Sequence, residues 1–170
     1  MNAKVINETR QYLTFKLDHE TYGLDITQVK EVLEFTEATK VPRMPEFMRG
    51  VINLRGGVVP VVDLRIKFDM AMTEKNIDTC IVILDLIIDE ENTLLGALAD
   101  SVQEVITIDY EQILPPPRIG TRLNTEFIKG IGKNNDEFVI ILDIDRVFSC
   151  DDLTALMKSE DPGIMSQGSL

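Results

Sequence analysis

The chain has 170 residues and a formal net charge of −12. That length bounds it to one domain or two small units sharing a core, and that charge argues against a nucleic-acid backbone or an anionic membrane face as partner. Its 44% hydrophobic and 27% charged residues are those of an ordinary globular protein, able to bury roughly 70% of its unfolded surface without disulfide staples.

The opening residues, MNAKVINETRQ, hold no apolar signal core, so nothing there points to export. QYLTFKL (11–17) alternates as a strand; TYGLDI (21–26) follows after the polar turn DHE, which carries the single histidine, His19. One imidazole cannot build the usual zinc or triad constellation. DITQ reads as one helical turn, and VKEVLEF (29–35) alternates again. In VPRMPEFMRG, Pro45 suits the first position of a short helical turn that Gly50 would end. GVINLRGGVVPVVDLR (50–65) then gives two strand arms, VIN and VVPVVDL, around the tip Asn53-Leu54-Arg55-Gly56-Gly57.

A second series follows: DTCIVILDL (78–86), TLLGALA (93–99) and VQEVITI (102–108). Its most apolar window, CIVILDLII, is broken by Asp85 and falls below the ~20 residues of a membrane span. Beyond the LPPP loop come EFIKGIGK and EFVIILDI (137–144). SCDDLTALMKSE predicts a C-terminal helix over 149–160, capped by Ser149 with Asp151 and Asp152 in its first turn. DPGIMSQGSL (161–170) reads as a frayed tail. Cys80 and Cys150 lie far apart and form no CxxC, so both read as structural thiols of a reducing compartment. Strands recurring at this spacing predict an all-β protein of small barrels or sandwiches.

The strands hide a repeat. Residues 46–64, EFMRGVINLRGGVVPVVDL, overlay 126–144, EFIKGIGKNNDEFVIILDI, at a constant offset of 80: Glu46, Phe47, Gly50, Val59 and Asp63 meet Glu126, Phe127, Gly130, Val139 and Asp143. Upstream, GLDITQVKEV from Gly23 overlays GALADSVQEV from Gly96. Two matches in the same order predict a duplication of one β unit. Positions kept in both copies serve the shared fold, so Gly50, Phe47, Asp63 and Asp143 are structural candidates. The tip behaves oppositely: Asn53-Leu54-Arg55-Gly56-Gly57 overlays Lys133-Asn134-Asn135-Asp136-Glu137, a polar turn of the usual kind. The fold does not demand an arginine there. Arginine's planar fork makes geometrically specific pairs and is enriched at interface centres, and the glycines let another backbone approach. The repeated Asp63 and Asp143 lack the Asp-Thr/Ser-Gly context of paired catalytic carboxylates.

YGLDITQVKEV, VPRMPEFMRGVINLRGGVVPVVDLR, LPPP and EFIKGIG together resemble the chemotaxis coupling protein family, CheW, over residues 10–150. The resemblance implies two packed five-stranded SH3-like barrels, here placed at about 10–70 and 71–148. It implies a cytoplasmic scaffold without catalytic activity or cofactor. Such a scaffold bridges the cytoplasmic tip of chemoreceptors to the regulatory domain of the histidine kinase CheA, at arrays on the inner face of the membrane and without membrane insertion. In the family a groove between the barrels takes the receptor tip and barrel ends stack on the kinase. The matched positions are Val29, Glu31, Gly50 and Arg55, with Leu54, Gly56 and Gly57 at the tip. Val29 is repeated as Val102 and Glu31 as Glu104, so core packing accounts for either as well as partner contact does. The specific expectation is an ion pair between Glu31 and Arg55. The alternative is a small-molecule-sensing β-barrel module, which calls for an apolar cavity with convergent polar groups.

Overall fold

Alternating segments punctuated by Asp, Asn and Gly turns become strands, as their pattern dictates. The computed structural model describes residues 9–88, 90–116 and 125–147. Five strands come from the first sequence unit: β1 (Thr9–Leu17), β2 (Glu20–Asp25), β3 (Val29–Glu34), β4 (Met48–Leu54) and β5 (Gly57–Asp63). The second unit supplies β6 (Cys80–Ile88), β7 (Glu91–Ala99), β8 (Ser101–Asp109), β9 (Ile128–Asn134) and β10 (Glu137–Leu142). The predicted helix over 149–160, Ser149 and Cys150 at its start, and the tail over 161–170 lie outside the described residues.

One five-stranded sheet runs β8-β1-β2-β10-β9 and the other β3-β6-β7-β5-β4. Exchanging β1–β5 for β6–β10 in order converts one sheet into the other, which is the repeat read from the sequence. The expected division near residue 70 does not follow the sheets. Each barrel takes its first two strands from one unit and its last three from the other. The chain crosses over between β2 and β3, and back between β7 and β8. At the first crossing, the Asp25 side chain accepts the Thr27 N–H at 2.9 Å and opens a single 3-10 turn, Ile26–Gln28. Sequence similarity says which strands are equivalent and is silent on which unit each one pairs with. That pairing is set here by parallel neighbours, β10 beside β2 and β5 beside β7.

Both barrels close in the same way. The segment after β3 bridges to β4 through Thr39 and Val51, whose backbones exchange hydrogen bonds at 2.8 and 2.9 Å. Leu114 and Ile131 repeat this at 2.8 Å. Gly50 does not end a helical turn; it lies inside β4 with φ of 142°. The closing segment crosses at that point, and a Cβ there would strike the Thr39 carbonyl. At Gly130 a Cβ would meet Ile113.

Three apolar clusters follow from strand alternation. Ile81 and Ile83 of β6 point into the β3–β7 barrel with Ile52, Val59, Val61 and Leu98. Tyr12, Ile106, Ile108, Val139 and Ile141 fill the other barrel. The opposite faces, including Leu13, Phe15, Leu17, Val82, Leu84 and Leu86, join one large cluster between the barrels. This double burial is why CIVIL (80–84) reads as an unbroken apolar run. Within the shared core Phe15 stacks on Tyr22 at 5.7 Å, and Tyr22 on Phe68 at 6.0 Å. Burial pushes the Tyr22 hydroxyl up to about 12. Phe47 is buried in the same core.

The two repeated aspartates differ in use. Their backbones match, the Asp63 N–H reaching the Phe47 carbonyl at 2.6 Å and the Asp143 N–H the Phe127 carbonyl at 2.8 Å. Asp63 is fully buried. Its carboxylate accepts from the Arg65 N–H (3.1 Å), the Thr73 N–H (2.9 Å), the Thr73 hydroxyl (2.7 Å) and Arg49 (3.2 Å). It caps the helical turn Leu64–Lys67 and latches the loop that follows. The Asp143 carboxylate is a quarter exposed and faces Arg146 at 3.7 Å.

Candidate functional site

β4 and β5 pair as far as Leu54 opposite Gly57, leaving Arg55 and Gly56 as a two-residue turn with φ of 50° and 87°. Two successive left-handed residues match the right-handed twist of a hairpin, a geometry that favours Asn, Asp and Gly. The second unit obeys that preference with Asn135 and Asp136 at φ of 52° and 68°. In the first unit Gly56 supplies one such residue, steadied by its N–H to Asn53 Oδ1 at 3.0 Å. Arg55 occupies the other at an energetic cost, because an L side chain is crowded in the left-handed region. Gly57 is ordinary strand, where a Cβ would meet only the Leu54 carbonyl oxygen at van der Waals distance. So Gly56, and not Gly57, is what the turn geometry requires.

The guanidinium reaches back across the barrel seam to β3. Arg55 Nη1 donates to Glu31 Oε2 at 2.6 Å and Nη2 to Oε1 at 2.8 Å, a bidentate pair. The Arg55 side chain is 68% exposed and that of Glu31 24%, so the strand-borne carboxylate is the fixed partner and the arginine the presented one. The Arg55 hydrogen bonds hold the Glu31 carboxyl below its ordinary range, aided by the charges of Arg55 and Lys30. Glu31 in turn raises the Arg55 guanidinium. The second unit keeps Glu104 but has Asn135 at the tip, so only the first can form this pair.

Around the pair, Val29 is half-buried against the shared core and Leu54 half-buried against the barrel interior. Val58, opposite Asn53 in register, is 60% exposed. The run VVPVV does not reveal it, because Pro60 and Val62 on the same strand face are buried. Cys80, at the start of β6, points its thiol to the Asp78 carbonyl at 3.2 Å. Among the described residues no three His, Cys, Asp or Glu side chains are placed to hold a metal. No helix among them is long and apolar enough to cross a membrane. The cavity bounded by Phe35, Val61, Leu98 and Arg49 holds about 60 Å³, below the ~300–1,000 Å³ of small-molecule sites; a depression of about 490 Å³ lined by Met44, Pro45, Met48, Arg49 and Met72 lies outside the barrel interiors.

Residues 11–151 match the family model described as CheW-like domain. The chain belongs to the CheW-like domain family. It is 32% identical over 153 residues to chemotaxis protein CheW of Klebsiella aerogenes, covering 89% of this chain and 90% of that protein. It is 30% identical over 154 residues to chemotaxis protein CheW of Treponema pallidum, covering 89% of each. The crystal structure of the scaffolding protein TtCheW from Thermoanaerobacter tengcongensis superposes with a TM-score of 0.74 at 38% identity, covering 85% of this chain and 91% of that one. The two CheW-like barrels and their duplication therefore stand on sequence, topology and likeness together.

Proposed function

We propose that the chain is a non-enzymatic cytoplasmic adaptor that couples chemoreceptors to the histidine kinase CheA in chemotaxis signalling. The relatives are chemotaxis and scaffolding proteins by name. The observation that carries the reading to particular residues is the bidentate Glu31–Arg55 pair, present at the end of one barrel and replaced by a plain turn in its twin. An arginine kept in a strained backbone, bonded to a fixed carboxylate and largely exposed, is oriented outward rather than recruited for stability. That barrel end is the surface for the kinase regulatory domain, with Val29, Leu54, Gly56 and Gly57 around it. The receptor tip takes the groove between the barrels. The sensor alternative is not favoured, since aliphatic side chains fill both barrels.

Co-sedimentation of the chain with receptor-containing membranes and CheA tests this. The chain should recruit CheA to the membranes; Glu31→Arg and Arg55→Glu should each abolish recruitment, and the double exchange should restore part of it. Absence of ternary assembly with the unaltered chain would defeat the adaptor reading. A double exchange no better than either single change would defeat the role of the pair.

A further inference from the structure

A second polar group stands at the same end of the β3–β7 barrel. On β6, Ile81 and Ile83 face the interior, and Asp85 is the next residue on that face. Ile83 is in register with Glu31, and Asp85 with Leu94, which packs on the interior cluster together with Leu54. Asp85 therefore lies at the mouth rimmed by Glu31, Leu54 and Arg55. Its Oδ1 is shut off from solvent without a hydrogen-bond partner, the one side-chain nitrogen or oxygen in that condition among the described residues. An acceptor left so is costly, more so on a charged group than on a neutral one, and calls for an explanation.

The twin barrel supplies one. Gly23 lies opposite Thr14, and Gly96 opposite Ile83; two residues on, Lys16 occupies the place of Asp85. Lys16 has its counter-charge, Glu137, at 3.8 Å, and Thr21 donates to the same carboxylate at 2.8 Å. The residue equivalent to Glu137 at the offset of 80 is Gly57, and the residue equivalent to Thr21 is Leu94. So in one barrel this rim position is filled by an internal ion pair. In the other the charge is inverted, the opposing side chain is deleted and the hydroxyl is replaced by an apolar group. The β6–β7 hairpin also runs two rungs further beyond its glycine than β1–β2 does, ending at Ile88 opposite Glu91 instead of Leu17 opposite Glu20. The extra length raises Ile87, 72% exposed, above the mouth.

We infer that Asp85, partly exposed apart from its sealed Oδ1, and Gly57 form a socket for a lysine or arginine side chain of the partner docked at this barrel end, with Ile87 as its apolar wall. The partner's cation takes in trans the position that the Lys16–Glu137 pair occupies in cis in the twin barrel. Gly57 is small because the incoming stem passes over it, a role the turn geometry alone does not give that glycine. The inference rests on the proposed docking of CheA at this end.

The test titrates the full chain into purified CheA, with thermal melts alongside. Asp85→Asn should keep or raise Tm, because Oδ1 makes no hydrogen bond that the change could break, and should weaken CheA binding by about tenfold or more while flattening its salt dependence. Asp85→Lys with Gly57→Glu rebuilds the twin's internal pair; it should fold normally and fail to bind. If Asp85→Asn leaves affinity unchanged while Arg55→Ala weakens it, the socket is overturned and the docking end stands. If both leave it unchanged, the docking end itself falls. If Asp85→Asn lowers Tm by more than about 5 °C, Asp85 serves the fold and the socket is overturned.

Discussion

Exchanging Arg55 for the asparagine that its twin carries separates fold from function at one residue. The two turns place these residues at nearly the same φ, 50° at Arg55 and 52° at Asn135, so Arg55→Asn puts there a residue that its twin accepts in the same left-handed region. An ordinary side chain in the left-handed region costs ~1–2 kcal/mol, and asparagine less. Part of that strain is relieved, against the loss of a largely exposed ion pair. At ~2–4 °C per kcal/mol for a chain of this size, Tm should stay level or rise by up to about 4 °C. Binding to CheA should fall about thirtyfold or more, the loss expected for an anchoring arginine at an interface centre. Circular dichroism melts and isothermal titration measure the two quantities on the same preparation. A fall in Tm above about 5 °C would show that Arg55 holds the barrel seam. Unchanged affinity would reduce the tip to a solvated turn. The reciprocal Asn135→Arg should lower Tm slightly and leave binding alone.

Three further outcomes follow from the same geometry. Asp63→Ala orphans the Thr73 and Arg65 donors and the Arg49 charge, and should cost about 3–5 kcal/mol in urea melts; Asp143→Ala, a quarter exposed with one ion pair, should cost no more than ~1 kcal/mol. Equal losses would contradict the asymmetry of the two sites. Since Arg55 holds Glu31 below its ordinary value of 4.5, the pair's contribution is complete above that value and is lost as pH falls through the lowered one. An NMR titration should therefore give a Glu31 midpoint below 4.5 that returns to it in Arg55→Ala, and equal midpoints would refute the coupling. Residues 1–74 and 75–170, expressed apart, should each fail to melt cooperatively as monomers and should reconstitute on mixing, because neither holds a whole barrel; a cooperative monomeric half would refute the exchange.

The repeat, the strand order within each unit and the difference between the two hairpin tips are legible because they are local or comparative facts. Alternation placed β1 and β3 to within two residues, and the offset of 80 singled out Arg55 against Asn135. The barrel boundaries were not legible. A duplication with strand exchange and one without it produce the same repeat, and only non-local pairing of β2 with β10 and β5 with β7 distinguishes them. Gly50 misleads for a related reason. A glycine two residues into a strand looks like a helix stop until the closing segment that runs over it is known. Val58 and Ile87 were passed over because a strand buried on both faces and a strand with one exposed face share one composition. Asp85 was read only as an interruption of an apolar run, since its isolation depends on Gly57, 28 positions earlier in the chain.

Strand exchange also decides what the proposed docking end is made of. Glu31, Leu54 and Arg55 come from the first unit, whereas Asp85, Ile87 and Leu94 come from the second. Had each unit closed its own barrel, the arginine tip would face strands of its own unit, and changes in the two copies would remain separate surfaces. With the exchange, a change in either copy lands on the same mouth. The first unit carries Arg55 and Gly57, and the second carries Asp85 and a longer hairpin, all on one face. The other barrel, built from the complementary strands, keeps the Lys16–Glu137 pair and the Asn135-Asp136 turn. The shared core of Phe15, Tyr22, Phe68 and Leu84 fixes the two barrels to each other, so one can carry the altered mouth while the other retains the plain form of the same architecture.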